Sequence, residues 1–104
     1  MSTLPAPPPL YFFLKLLAPR PGFNQDMSSS EKDLMHQHFN YWKALQDQGK
    51  VVVFGPVLDP QEIFGMAIVV ANREDEIQQI TDHDPAVKSG LLKPVFHPMR
   101  AILP

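Results

Sequence analysis

The sequence predicts an α+β domain: a four-stranded antiparallel sheet with two helices on one face, running β-α-β-β-α-β. Three observations carry the prediction. Short runs rich in β-branched and aromatic residues, each bounded by Gly, Pro, Asn or Asp, recur along the chain. A long stretch of helical periodicity with a start signal lies between the first two runs, and a shorter one with an acidic head lies between the last two. The length of 104 residues, with 44% hydrophobic and 19% charged content, suits one folded domain and leaves no room for two.

Each element follows in order. Residues 1–9 contain "PAPPP" and read as a flexible Pro-rich arm that favours an extended polyproline II form; the domain proper is residues 10–104. "LYFFLKLL" (10–17) is the first strand, and "APRPGFNQDMSSS" (18–30) is a loop. Ser28 followed by Glu31 has capping-box spacing, so a helix starts there. It runs to about Gln48, and Gly49 suits the left-handed position just past its end. "VVVFGPVL" is the second strand, "DPQE" a turn and "IFGMAIVVA" the third strand. Asn72 opens a second helix, "REDEIQQITDHD", whose early acids suit the positive end of the dipole and which Pro85 stops. "LLKPVFHPMRAIL" holds the last strand, placed at a sheet edge by its prolines. This order is the ferredoxin-like arrangement.

The strands also predict a partner. In "YFFLKLL" both alternating sets of side chains are mostly apolar, and "VVVF" and "MAIVV" behave likewise. A strand wetted on one face should alternate apolar with polar. Two helices cover only one face, so a second copy of the sheet is expected on the other, giving a homodimer.

Composition narrows the function. The net charge of −2 supplies no basic surface for nucleic acid. Runs such as "YFFL" are too short to cross a bilayer, and the N-terminus lacks a secretory pattern, so a cytoplasmic location is expected. With no cysteine, disulfides and thiolate chemistry are excluded. No phosphate loop, nucleophile elbow or hydride-cofactor fingerprint occurs, so no cofactor is expected.

The functional lead is a histidine in a greasy place. At about 100° per residue, Leu34, His38, Tyr41, Trp42 and Leu45 share one arc of the first helix, whereas His36 points the opposite way. In the second helix Ile77 and Ile80 mark the inward side, and Asp84 continues that stripe. Both helices pack on one sheet face, so the two ionisable groups point toward a shared interior. Buried charges are expensive unless paired, and a His38–Asp84 contact resolves both costs, the carboxylate orienting the ring. Asp84 at the C-terminus of its helix gains further from a donor partner. The competing readings are a purely structural pair, or an Asp84 that swings out before Pro85 as a simple turn residue.

Motifs along the chain support the first reading. "MHQHFNYWKAL", "QGKVVVFGP", "FGMAIV" and "DPAVKSGLLKPVFHPM" occur in that order. Met35, His38 and Tyr41 stand at M-x-x-H-x-x-Y spacing, and Asp84-Pro85 with Gly90 forms a D-P…G segment. Over about residues 10–102 the chain resembles the YCII-related (YciI-like) family of the dimeric α/β-barrel superfamily. The resemblance implies a ferredoxin-like protomer that dimerises through its sheets, with an active site built on His38 and Asp84.

Other residues are weighed against plainer roles. Tyr41 lines an aromatic-binding cavity or is core; for Trp42, core is the better reading. Arg20 greets an acidic substrate above the pocket or is a solvated loop arginine. His97 lies near the same cavity as a substrate-orienting donor or is a surface strand residue. Phe23, isolated in a polar loop, packs over the cavity as a lid. A metal is not expected, because His36 and His38 are two apart on a helix, and a shared metal calls for three or four. The expectation is a cofactor-independent enzyme in which His38 moves a proton on a small organic substrate, aromatic or lactone-like, while Asp84 holds its tautomer. The alternative is a non-catalytic small-molecule-binding or stress-associated accessory protein.

Overall fold

The computed structural model describes residues 8–104; the first seven residues of the Pro-rich arm lie outside the described residues. The strands are β1 (Leu10–Leu17), β2 (Val51–Val57), β3 (Phe64–Ala71) and β4 (Lys93–Met99). They form one antiparallel sheet in the order β2-β3-β1-β4, the ferredoxin-like topology expected from the element order. The edge position of β4 lets it carry Pro94 and Pro98 without breaking an interior ladder.

The main helix, α2 (Ser29–Asp47), begins with the full capping box: the Ser28 side chain accepts from the Glu31 N–H, and Glu31 accepts from the Ser28 N–H. It ends where Gly49 adopts φ 79°, a left-handed conformation that a side chain would oppose. Two sequence expectations need correction here. The loop after β1 contains a helical turn, α1 (Phe23–Asp26), which carries Phe23 into the core. The second helix, α3 (Glu74–Asp82), is preceded by Arg73, not Asn72, and that position makes no side-chain cap.

The third correction bears on the site. Asp84 does not sit at the end of α3, because His83 is already its C-cap. Asp84 is instead the N-cap of a further short helix, α4 (Pro85–Lys88), with Pro85 at its first position. The fixed φ of proline that stops one helix is pre-set for starting the next.

The core lies between the helices and one sheet face. Phe12, Leu14, Leu16, Ala67 and Val69 point into it and meet Trp42, Leu45 and Ile77. A fully buried side chain of this size contributes about 1.5–3 kcal/mol. The opposite face carries Phe13, Ile68, Val53, Val95 and Met99, with Val53 still 48% exposed and Val95 39%. Both faces of the sheet are therefore largely apolar, the uncovered one interrupted by Lys15, Lys93 and His97, and only one is covered within the chain. Among the described residues, no helix is long and apolar enough to cross a membrane.

Candidate functional site

The helical spacing of α2 places His38 and Trp42 one turn apart on its inward stripe, where both reach Asp84 at the head of α4. The carboxylate is fully buried, and its three donors come from three directions. Oδ2 accepts from His38 Nδ1 at 2.7 Å and from the indole N–H of Trp42 at 2.8 Å. Oδ1 accepts from the Ala86 N–H at 2.9 Å, the ordinary N-cap bond. A carboxylate can only accept, so Nδ1 of His38 carries a proton and Nε2 is the lone-pair nitrogen of the neutral ring.

The His38 side chain is 13% exposed and lies on the wall of a cavity of about 600 Å³. Its Nε2 has no partner among the described residues, and no buried side-chain nitrogen or oxygen there lacks one, so this nitrogen is accessible on a ring that lines the cavity. Asp84 is not part of the wall; it stands behind the ring. The remaining wall is mostly apolar, with Phe23, Met27, Met35, Phe39 and Phe54 around a floor that includes Gly65 and Ala67. A volume in this range, mostly apolar with a few polar side chains (His38, Asn24, Lys43 and Gln46), is typical of a small-molecule site. The chemistry available is proton transfer at Nε2.

The other sequence candidates are placed differently. Phe23 lines the cavity and is only 2% exposed, buried within its wall. Tyr41 is not on the wall: its hydroxyl donates to the Ile80 carbonyl, tying α2 to α3. Burial, with the Asp84 charge second, pushes its phenol up to about 12.

Arg20 does not face the cavity either. It forks onto both Glu31 oxygens at 2.8 Å and onto Asp26 at 2.9 Å, clamping the α1 turn to the start of α2. Those bonds, Glu31 first, hold its guanidinium protonated well above its ordinary value. In return the guanidinium, with the Ser28 N–H, holds the Glu31 carboxyl down at about 2.

The expectation that His97 shares the cavity is overturned. His97 pairs with Phe13, so it points to the sheet face away from the helices and is exposed there. His36 is exposed as expected, and among the described residues no three His, Asp or Glu side chains gather as a metal site would need. Trp42, read as core from sequence, is core and also part of the carboxylate's shell.

A four-stranded antiparallel sheet in the order β2-β3-β1-β4 with its helices on one face defines an α+β protein of ferredoxin-like architecture. More narrowly, the model of the YCII-related domain matches residues 12–96, and the chain belongs to that family. Among solved structures it is similar to 5-chloro-2-hydroxyhydroquinone dehydrochlorinase from Burkholderia phenoliruptrix, in complex with 2,5-dihydroxybenzoquinone. The two share 26% identity with a TM-score of 0.62, over 86% of this chain and 93% of that one. No curated protein matches the sequence.

Proposed function

We propose that the protein is a small acid–base enzyme acting on a flat hydroxylated or quinone-like ring. The observation that carries this reading is the His38 ring, whose Nδ1 is held by a buried carboxylate while Nε2 opens into a cavity of about 600 Å³. The similarity to a dehydrochlorinase whose structure holds a dihydroxybenzoquinone supports the ligand class.

In this reading Nε2 takes a proton from a ring hydroxyl or an activated ring carbon. The electron pair moves into the ring and the imidazolium returns the proton to a ring carbon; where that carbon carries a halide, loss of a second hydroxyl proton to Nε2 then expels the halide with its bonding pair and leaves the quinone. Asp84 keeps the lone pair on Nε2 and stabilises the imidazolium that forms. The aromatic and methionine walls hold the ring flat. Electrons balance without an outside oxidant or reductant.

The uncovered sheet face is assigned to a second copy of the chain. Exposed Val53, Val95 and Met99 surround a centre at Ile68; of the charges on this face, Lys15 is paired with Glu62 at 2.9 Å and Lys93 stands at the end of β4.

A second reading, binding without chemistry, is favoured by the scarcity of polar groups on the cavity wall. The test is proton exchange into 2,5-dihydroxybenzoquinone in heavy water, together with halide release from chlorinated hydroxyhydroquinones. Acceleration by the wild type that disappears in His38→Ala supports the enzyme. Binding with no acceleration supports the carrier, and neither binding nor acceleration removes the ligand class.

A further inference from the structure

We propose that Trp42 is a positioning residue of the site: its indole N–H shares one oxygen of Asp84 with His38 and thereby fixes which way the imidazole faces. The inference rests on the assignment of His38 as the cavity-facing base, but not on any substrate.

The geometry supplies the argument. Oδ2 of Asp84 has two lone pairs in the carboxylate plane; Trp42 occupies one at 2.8 Å and His38 the other at 2.7 Å. Oδ1 is spent on the Ala86 N–H, so the carboxylate can neither rotate nor slide without losing a buried bond. Trp42 itself is immobile. It is fully buried, and its ring meets Tyr41 edge-on at 5.5 Å and 88°. Tyr41 is pinned in turn by its hydroxyl on the Ile80 carbonyl.

The chain of contacts runs from the α3 backbone through Tyr41, Trp42 and Asp84 to the His38 ring. Packing alone gives no reason for an indole here. Phenylalanine or leucine would fill a dry interior without bringing a polar N–H that must find an acceptor. Asp84, already bonded by Ala86 and His38, would not be left unsatisfied without it. What the third donor adds is direction. With Trp42 on one lone pair, His38 has a single remaining position on that oxygen, and its Nε2 has a single aim.

Trp42 is also the only tryptophan in the chain, so its indole N–H gives one resonance that needs no assignment. The test uses the full-length protein labelled with nitrogen-15 and free of ligand. In the wild type, the indole N–H signal shifts in step with the His38 titration, and the neutral ring shows the nitrogen pattern of one tautomer, Nδ1–H. In Trp42→Phe, which keeps the aromatic bulk, the ring stays protonated on Nδ1 because Asp84 still accepts there, but its imidazole proton signals broaden as the ring samples a second orientation, while melting stays cooperative.

An indole signal that ignores the His38 titration overturns the proposal, and so does a Trp42→Phe ring whose imidazole proton signals stay as sharp as those of the wild type. Should Trp42→Phe fail to fold, the wild-type titration alone decides. Neither readout involves turnover, so failure of the enzyme reading leaves this result separately visible.

Discussion

Replacing Asp84 by asparagine should reverse the His38 ring chemically while leaving its position almost unchanged. The amide is the same shape but has one acceptor oxygen and one donor NH₂. If the oxygen faces His38 and Trp42, the NH₂ is pressed against the Ala86 N–H, and three buried hydrogens lose their partners. If the oxygen keeps the Ala86 bond, the NH₂ donates to Nδ1 of His38, and only the Trp42 N–H and one amide hydrogen are left over.

The second arrangement strands fewer donors, so it prevails. It requires Nδ1 to accept, which moves the ring proton to Nε2 and turns the cavity-facing base into a donor. Activity should fall on the order of 10⁴-fold, the scale seen when a catalytic histidine is locked in the wrong tautomer. The stranded Trp42 N–H, in a fully buried residue, costs about 1–3 kcal/mol. For a domain of about 100 residues that lowers Tm by roughly 4–8 °C per kcal/mol. Nitrogen-15 spectra of the imidazole, thermal melts and ring-proton exchange read the three consequences. Wild-type turnover in Asp84→Asn, or a neutral ring still protonated on Nδ1, refutes the reasoning.

Three further outcomes follow from separate parts of the molecule. Gly65→Val should stabilise the fold yet weaken ligand binding on the order of ten-fold or more: Gly65 has no positive φ and its added Cβ meets only ordinary contacts at 3.8 and 3.9 Å, so its bareness serves the cavity floor, and melting plus titration with 2,5-dihydroxybenzoquinone will show whether the two effects diverge. Glu31, ordinarily near 4.5 and held at about 2 in the fold, contributes stability that is present above pH 4.5 and lost as pH falls toward 2; Glu31→Gln should flatten that limb of a melting-versus-pH curve, and high salt should shrink the difference because the pair is near the surface. Ile68→Lys, at the middle of the uncovered sheet face, should leave the helix side intact and convert a dimer into a monomer in sedimentation; a monomeric wild type would remove the second copy.

Local chemistry made much of the fold readable. The capping box at Ser28 and Glu31, the left-handed Gly49 and the edge prolines of β4 are each specified by a few adjacent residues. What escaped depends on register or on distant partners. His97 belongs to the β4 set with Lys93, Val95 and Met99, opposite the wholly apolar Pro94, Phe96 and Pro98; that alternation was the available signal for its outward face, and the pairing with Phe13 fixes it. The spacing of Ile77, Ile80 and Asp84 gave the right interior but the wrong helix end, because Pro85 reads as a stop until its neighbours show that it is also a start. Arg20 and Tyr41 were read as facing a ligand because a charge in a loop and a phenol on an inward arc leave their partners open; Glu31, Asp26 and the Ile80 carbonyl had already taken them. For Trp42, the available signal was its position four residues after His38, which puts both polar ring nitrogens on the stripe that Asp84 approaches.

The structural and functional readings of His38 separate on stability. If the pair existed to hold the fold, both members would matter about equally to it, and the molecule says otherwise. Asp84 caps α4 through Oδ1 and satisfies Trp42 through Oδ2, so its loss strands buried donors at two places. His38 satisfies nothing but itself. In His38→Ala, Oδ2 still has Trp42, Oδ1 still has Ala86, and water from the adjoining cavity can take the vacated lone pair. The expected loss is about 1 kcal/mol, the net worth of one ordinary hydrogen bond, against about 1–3 kcal/mol for Asp84→Asn, while both substitutions should remove the proposed activity. A leucine at position 38 would pack against the apolar wall at least as well, so the fold gives no reason for the imidazole, and such a residue is what a stability–activity trade-off leaves behind. Denaturant melts of the two variants settle the matter: a His38→Ala loss equal to or larger than that of Asp84→Asn returns the pair to a structural role.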